Sequence, residues 1–276
     1  MQQRDSLANT FLVSTVLCVV CSLAVSAAAV ALRPLQEKNQ LLDRQKNILD
    51  ATGLALGEFG LPASQLTVDQ IAELYTRVEE RLVDLETGEY NTELDPASYD
   101  PKDAAKKPNL SVRTDDPNYS IGRNRREKVA RVFLVRNPKT EEITQVVLPV
   151  YGQGLWSTLY GYLAVKRDLE TVQGLTFYEH AETPGLGGEV DNPRWKAQWV
   201  GLKMFDESGD PALAVARGPA PSDSEHKVDG LSGATITGNG VTDLVRYWTG
   251  PDGYQNYLNR LESELNGSQG ESDVKQ

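Results

Sequence analysis

Nine consecutive residues, Asp229-Gly230-Leu231-Ser232-Gly233-Ala234-Thr235-Ile236-Thr237, put an acid, two glycines and three hydroxyls into one short stretch. Glycine permits positive φ and close backbone approach, so such a segment can wrap N–H groups around an anion. The run Val241 to Trp248 has apolar residues at roughly helical spacing, which predicts a helix behind the turn. The hydroxyls then stand just ahead of a helix N-terminus, where phosphate is favoured. A Ser/Gly/Thr loop that merely caps a helix fits the same residues.

Two other stretches combine glycine with functional side chains. Gly152-Gln153-Gly154-Leu155-Trp156 presents an indole after two glycines at the end of an expected strand. That ring could stack on a planar ligand or plug the core. His180-Ala181-Glu182-Thr183-Pro184-Gly185-Leu186-Gly187-Gly188 is a glycine-dense loop in which His beside Glu suits acid/base work or a plain exposed turn. Gly230-Leu231-Ser232-Gly233-Ala234 comes close to a nucleophile elbow, but an α/β-hydrolase needs its His after the Ser, and no His follows position 226. No G-x-G-x-x-G follows a strand, so a nicotinamide dinucleotide would have to react on a partner. Cys18 and Cys21 are the only cysteines, too few to hold an iron–sulfur cluster unaided; small apolar helix residues are the plainer reading of the pair.

The elements that must position these loops are predominantly strands. Segments 129–135, 143–150, 159–165, 171–178 and 212–216 read as strands. Asn192-Pro193-Arg194-Trp195 opens a helix to about Trp199. The expectation is an α+β fold with an antiparallel or mixed sheet and flanking helices. Upstream, Phe11 to Leu32 carries no charge over 22 residues, matching the roughly 20 that cross a bilayer as a helix. A cleaved signal peptide, with Ala27 to Ala29 as its small-residue site, is the rival, but the apolar run exceeds the roughly 7–15 residues of such signals. The flanking charges do not orient the span. Arg33-Pro34 closes this helix, and Leu35 to Leu49 forms a second one that Gly53, Gly57 and Gly60-Leu61-Pro62 break. Thr67 and Gln70 form a capping box for a third, whose stripe Ile71, Leu74, Tyr75, Val78, Leu82 and Leu85 runs to about Glu86.

The expected organisation is therefore a tail over 1–10, a transmembrane helix over 11–32 and a juxtamembrane helical region over 33–86. An irregular surface loop follows over 87–128, where Arg123-Asn124-Arg125-Arg126 reads as a solvated basic face. The sheet domain covers 129–265, and a disordered tail 266–276. The formal net charge of −11 argues against nucleic acid as a partner.

The pattern Asp-Gly-x-Ser-Gly-Ala-Thr-x-Thr resembles the signal at which a dedicated flavin transferase joins FMN to a threonine through a phosphoester. Matched position by position, the acceptor is Thr235, with Ser232, Gly233, Ala234 and Thr237 shaping the cradle. The juxtamembrane text Arg33-Pro34-Leu35-Gln36-Glu37-Lys38-Asn39, continuing to Asp43 through Leu49, and the run through Cys18, Cys21 and Ser22 are similar to the C subunits of sodium-translocating NADH:quinone reductases. The resemblance spans about 5–265, interrupted over 87–128. The G subunit of Rnf-type electron-transport complexes shares the flavin signal and is the neighbouring possibility.

This resemblance implies a single FMN-binding domain in which Trp156, Glu182, Thr183, Gly185 and Leu186 contact the flavin ring. It also implies an electron-transfer subunit without a complete reaction of its own, in a bacterial inner-membrane complex that couples NADH oxidation and ubiquinone reduction to Na⁺ export. The flavin domain would face the periplasm, with the other subunits, the flavin transferase and membrane lipid as partners, and any intramembrane iron–sulfur cluster would belong with other subunits. A non-redox module that holds an anion or a partner on the turn is the alternative from another class, and a yellow chromophore surviving denaturation would separate the two.

Overall fold

The computed structural model describes residues 7–114 and 119–273. The chain divides between Arg44 and Gln45 into an N-terminal helical unit and a C-terminal α+β unit. The first unit lies within one helix, α1 (Leu7–Thr52), long and apolar enough to cross a membrane. Its side chains Phe11, Leu12, Leu17, Leu23, Val25 and Val30 are exposed, as a lipid-facing surface requires. Two expectations are corrected here. Helix already occupies Leu7–Thr10, part of the expected tail, while residues 1–6 lie outside the described residues. Arg33-Pro34 does not end the helix either. Proline removes one N–H donor and strains one turn, but good helix formers flank it, and the Arg33–Glu37 ion pair at 3.0 Å spans it.

The second unit begins with the last turns of α1, where Ile48, Leu49 and Ala51 are buried. α2 (Leu54–Phe59) follows between Gly53 and Gly60, both left-handed. α3 (Val68–Tyr75) starts at the expected capping box. The Gln70 N–H donates to Thr67 Oγ1 at 3.3 Å, and the Thr67 N–H donates to Gln70 Oε1 at 2.9 Å. The helical stripe expected to reach Glu86 stops at Thr76. Val78–Asp84 is instead a strand, β1. The Val78, Leu82 and Leu85 spacing serves a helix in isolation, but pairing with a neighbouring strand satisfies both the backbone and the charges. Glu79 bonds Arg136 at 2.8 Å and Glu80 meets Arg131 at 2.7 Å across that pairing. The sheet thus takes its edge strand from inside the expected juxtamembrane helical region, upstream of residue 129.

The segment expected as irregular loop contains α4 (Pro101–Ala104), β2 (Ser111–Arg113) and β3 (Arg125–Glu127), the two strands paired antiparallel. Its basic cluster is not a solvated face. Arg125 donates to Ser111 Oγ at 2.8 Å, Arg126 is buried, and Arg123 lies over the rings of Tyr151 and Tyr160. Planar guanidinium groups fit such stacked and carbonyl-rich sites.

β4 (Val129–Arg136), β5 (Ile143–Gln153), β6 (Thr158–Lys166) and β7 (Val172–Glu179) complete an antiparallel sheet of order β1-β4-β5-β6-β7. Beyond it come α5 (Pro193–Ala197), β8 (Ala214–Val215), β9 (Lys227–Val228), α6 (Thr235–Thr249) and α7 (Gln255–Asp273). β8 and β9 form a small parallel pair; of the strand expected over 212–216 only Ala214 and Val215 pair. The expected disordered tail over 266–276 is helix as far as Asp273, and 274–276 lie outside the described residues. No proline interrupts it, and the buried Tyr257, Leu258 and Leu261 anchor the turns from which the helix propagates.

One face of the sheet packs Phe133, Val135, Val147, Tyr162 and Ala164 against Ile48 and Ala51. The other carries the main core, with Val146, Leu148 and Leu163 joined by Leu244, Val245 and Trp248 of α6. Two glycines bring α6 unusually near β5. A Cβ at Gly240 would lie 2.1 Å from the Gln153 carbonyl oxygen, and one at Gly152 would lie 2.5 Å from Leu244 Cβ. Trp248 Nε1 pins the same contact by donating to the Tyr151 carbonyl at 2.8 Å. The start of α6 is thereby held beside the turn that joins β5 to β6.

Candidate functional site

Thr235 is the first residue of α6, six residues earlier than the apolar spacing alone indicates. The turn leading to it is closed by the Ala234 N–H donating to the Leu231 carbonyl at 3.0 Å, with Gly233 at φ +70°. The N-cap position is Ala234, and no side chain caps this end of the helix. The first N–H groups of a helix have no intrahelical acceptor, so they remain aimed outward with the positive end of the helix dipole behind them. Thr235 and Ser232 are exposed beside them. Thr237 differs: it is wholly buried, and its hydroxyl donates to Glu182 Oε2. Of the three hydroxyls, two face solvent.

Asp229 anchors the front of the turn. Its Oδ1 accepts the Ala220 N–H at 2.7 Å, and its Oδ2 accepts from Gln198 Nε2 at 3.0 Å. Its carbonyl accepts the Trp195 indole N–H at 2.8 Å. The acid is therefore a clamp rather than a base for Thr235.

Glu182 does the same from the other side. It is only 5% exposed and accepts the Trp156 N–H at 3.0 Å as well as the Thr237 hydroxyl. Burial alone pushes its pKa up, but the Thr237 hydroxyl and the N–H groups of Trp156, Leu155 and Ser157 outweigh this, so the carboxyl is held below its ordinary value. Glycines wall the carboxylate in: a Cβ on Gly154 would lie 2.5 Å from Oε1 and one on Gly187 2.6 Å from Oε2. The carboxylate expected as a ring contact is turned inward, where it ties the β5–β6 turn, the 180–188 loop and α6 together.

The outward faces of these loops form the remainder. Trp156 is 68% exposed, which removes the core-plug alternative, and its Nε1 donates to Thr183 Oγ1 at 3.2 Å. Thr183 and Gly185 are exposed, Gly185 at φ +77°. Leu186 is 43% exposed and so close to the turn before Thr235 that a Cβ on Gly233 would lie 2.9 Å from its Cδ2. Leu155 and Ile236 add exposed apolar surface. His180 is fully engaged, its Nδ1 accepting the Glu182 N–H at 3.2 Å while Nε2 meets Asp191 at 2.8 Å. It braces the loop. An open cleft of about 420 Å³ adjoins the turn, lined by Arg217, Gly218, Pro219, Asp229 to Gly233 and Thr235. Sequence reasoning did not single out Arg217, Leu155 or Ile236: Arg217 lies outside every quoted motif, while Leu155 and Ile236 are apolar positions inside two of them.

The set fits a flavin mononucleotide: an uncapped helix start for the phosphate, an exposed hydroxyl beside it, and an indole with aliphatic neighbours for a planar ring. What the sheet and this glycine turn define is an FMN-binding domain, and residues 154–250 match the family model of that description. The chain is 40% identical over 261 residues to the C subunit of the Na(+)-translocating NADH-quinone reductase of Yersinia pestis, covering 94% of this chain and 95% of that one. It is 44% identical over 264 residues to the corresponding protein of Pseudomonas aeruginosa, covering 95% and 98%. The crystal structure of Shewanella oneidensis NqrC superposes with a TM-score of 0.72 at 32% identity, covering 83% of this chain and 99% of that one. The crystal structure of the C subunit from Parabacteroides distasonis gives 0.62 at 26% identity, covering 82% and 96%. The chain belongs to the NqrC family, the C subunits of Na⁺-translocating NADH-quinone reductases.

Proposed function

We propose that this chain relays electrons through an FMN held by a phosphoester to Thr235, inside a bacterial inner-membrane complex that oxidises NADH, reduces ubiquinone and exports Na⁺. The observation that carries the reading is the exposed Thr235 hydroxyl on the first residue of an uncapped helix. A phosphodiester keeps one negative charge at neutral pH, and that position favours it.

Attachment needs a flavin dinucleotide as donor and a flavin transferase as catalyst, since Thr235 has no base of its own: Asp229 and Glu182 are both spent on other bonds. Thr235 Oγ1 forms a bond to the flavin-side phosphorus, and the P–O bond to the adenylate half breaks. AMP leaves with the bonding pair, and the threonine proton passes to a base of the transferase. When bound, FMN supplies a centre that accepts and passes electrons singly or in pairs.

This chain's part is placement. The helix start holds the phosphate. Ser232, Gly233 and Ala234 keep the turn low around it, and buried Thr237 supports it from beneath. Trp156, Thr183, Gly185 and Leu186 present the surface for the ring, with Glu182 fixing their loops from inside. Residues 11–32 act as the lipid-embedded anchor, and the flavin-bearing domain faces the periplasm against the other subunits of the complex.

The test is in-gel ultraviolet fluorescence of the denatured full chain after co-expression with a flavin transferase, beside Thr235→Val and Ser232→Ala. A band kept in Ser232→Ala and lost in Thr235→Val supports the reading. A band that survives Thr235→Val moves the linkage to Ser232, because Thr237 is buried. No band in any chain leaves the turn as an anion- or partner-holding module.

A further inference from the structure

We propose that Arg217 is the cation that pairs with the flavin phosphate at Thr235; this rests on the reading of Thr235 as the attachment site. Arg217 lines the 420 Å³ cleft together with Thr235, Ser232 and Gly233. It also lines a small adjoining recess that holds Thr235, Leu231 and Asn239. Arg217 and Thr235 therefore line both hollows together.

The segment that carries Arg217 is fixed, unlike a chance surface arginine. Ala216 N–H donates to the Val228 carbonyl at 2.9 Å, and Gly230 N–H donates to the Gly218 carbonyl at 2.8 Å. Ala220 N–H donates to Asp229 Oδ1 at 2.7 Å. Both flanks of residue 217 are thus stitched to the acceptor turn, and Pro219 removes a further backbone freedom. The two segments touch so closely that a Cβ on Gly230 would lie 2.5 Å from the Ala216 carbonyl oxygen and 3.0 Å from the Arg217 carbonyl carbon. The side chain is exposed and makes no hydrogen bond or ion pair among the described residues.

Charge balance gives this cation a task. The chain carries a net charge of −11, and Asp229 itself borders the cleft. Both Asp229 oxygens accept hydrogen bonds, which directs the carboxylate away from the cleft and toward Ala220 and Gln198. An approaching phosphate meets a net-negative chain, and besides Arg217 the turn offers it the helix-start N–H groups and the Ser232 hydroxyl. A guanidinium offers a planar fork that matches two phosphate oxygens. The same chemistry serves two ligands: the pyrophosphate of the incoming flavin dinucleotide, and the phosphodiester left on Thr235.

The experiment uses the full chain produced without flavin transferase, then supplied with limiting transferase, Mg²⁺ and FAD, and followed by in-gel fluorescence. Arg217→Gln and Arg217→Glu are expected to lower the initial labelling rate about tenfold or more, the scale of one lost hydrogen-bonded charge contact. Arg217→Lys keeps the charge but loses the planar fork, and is expected to label at a rate between those of Arg217→Gln and the unaltered chain. Lys139→Glu, a charge reversal in the remote β4–β5 turn, should label normally. Thermal melts of these exposed-site variants should coincide.

The ³¹P resonance of the attached phosphodiester is the second readout. A shift in Arg217→Gln supports contact with the linked phosphate. A slowed rate partly rescued by lysine with an unmoved resonance supports contact with the dinucleotide alone. A slowed rate shared in full by Arg217→Lys with an unmoved resonance assigns Arg217 to the transferase's docking surface and overturns the proposal. Normal labelling of Arg217→Glu with an unmoved resonance also overturns it. No label on the unaltered chain, or label surviving Thr235→Val, removes the underlying reading and this inference with it.

Discussion

The Thr237 hydroxyl donates to the Glu182 carboxylate across 55 residues of sequence. Thr237 is in the first turn of the helix that begins at Thr235, and Glu182 begins the loop that bears Thr183, Gly185 and Leu186. This one bond joins the segment expected to hold the phosphate to the segment expected to meet the ring.

Removing that carboxylate should loosen the site from within. Glu182→Ala leaves the Thr237 hydroxyl and the Trp156 N–H without their buried acceptor, a loss of about 2–4 kcal/mol on the scale of hydrogen bonds to a charged group. Urea unfolding of the unlabelled chain checks it. Glu182→Gln keeps the shape and one acceptor oxygen and should lose less. Equal stability in all three chains would show that these bonds are replaceable by water.

The same residue predicts an acid-side weakness. The folded pKa of Glu182 lies below its ordinary value, because hydrogen bonds outweigh burial. Its contribution is therefore fully present above the unfolded pKa of roughly 4.3 and is lost as pH falls through the folded value. Glu127 has the opposite sign: burial, only partly offset by the Tyr151 hydroxyl and nearby arginines, raises its pKa, so it favours folding where it is protonated. Between pH 6 and the onset of acid unfolding, the unaltered chain should lose stability more steeply than Glu182→Gln. Parallel curves would assign the acid sensitivity elsewhere.

Trp156→Ala should separate ring placement from folding. The indole is largely solvent-exposed, so unfolding stability should change by no more than about 0.5 kcal/mol. Covalent label should persist, while the visible circular dichroism and fluorescence yield of the attached flavin change. Unchanged flavin spectra would place the ring away from Trp156.

Gly240→Ala should act at a distance. Its new methyl would sit 2.1 Å from the Gln153 carbonyl oxygen, so α6 must move off β5. A loss of about 1–3 kcal/mol is expected for such overpacking, together with reduced labelling at Thr235. Gly233→Ala forces a Cβ onto φ +70° and against Leu186, and should cost about 1–2 kcal/mol with its effect confined to the turn. Labelling assays on both, scaled to the folded fraction from melts, discriminate the two outcomes.

Much of this architecture was legible in the chain. Strands β4 to β7 read correctly because alternating and continuous apolar runs bounded by turns survive burial on both faces of a sheet. The capping box at Thr67 read correctly because both of its bonds are local. What failed was set by distant partners. Val78, Leu82 and Leu85 satisfy a helical spacing, and it is the backbone ladder with β4, with the Arg131 and Arg136 ion pairs across it, that makes Val78–Asp84 a strand. Arg123 and Arg126 looked like solvated charge, but Arg123 lies over the Tyr151 and Tyr160 rings and Arg126 is buried within β3. Trp156 was ambiguous because an indole after two glycines carries no sign of which way the turn will face. Glu182 was expected to meet the ring, yet its carboxylate faces inward, and that orientation depends on Thr237, which no sequence pattern links to it.

Gly152, Gly154, Gly187 and Gly240 contribute no side chain to the site, yet each lies where a single methyl would collide with an atom beyond it. The geometry at Thr235 is thus set by omission, and its tolerance to genetic change is lopsided. A codon change at any of these four positions adds bulk where none fits and reaches the Thr235 hydroxyl through the backbone, without altering one residue of the recognisable pattern around it. A chain with an intact Ser-Gly-Ala-Thr can therefore be a failed flavoprotein.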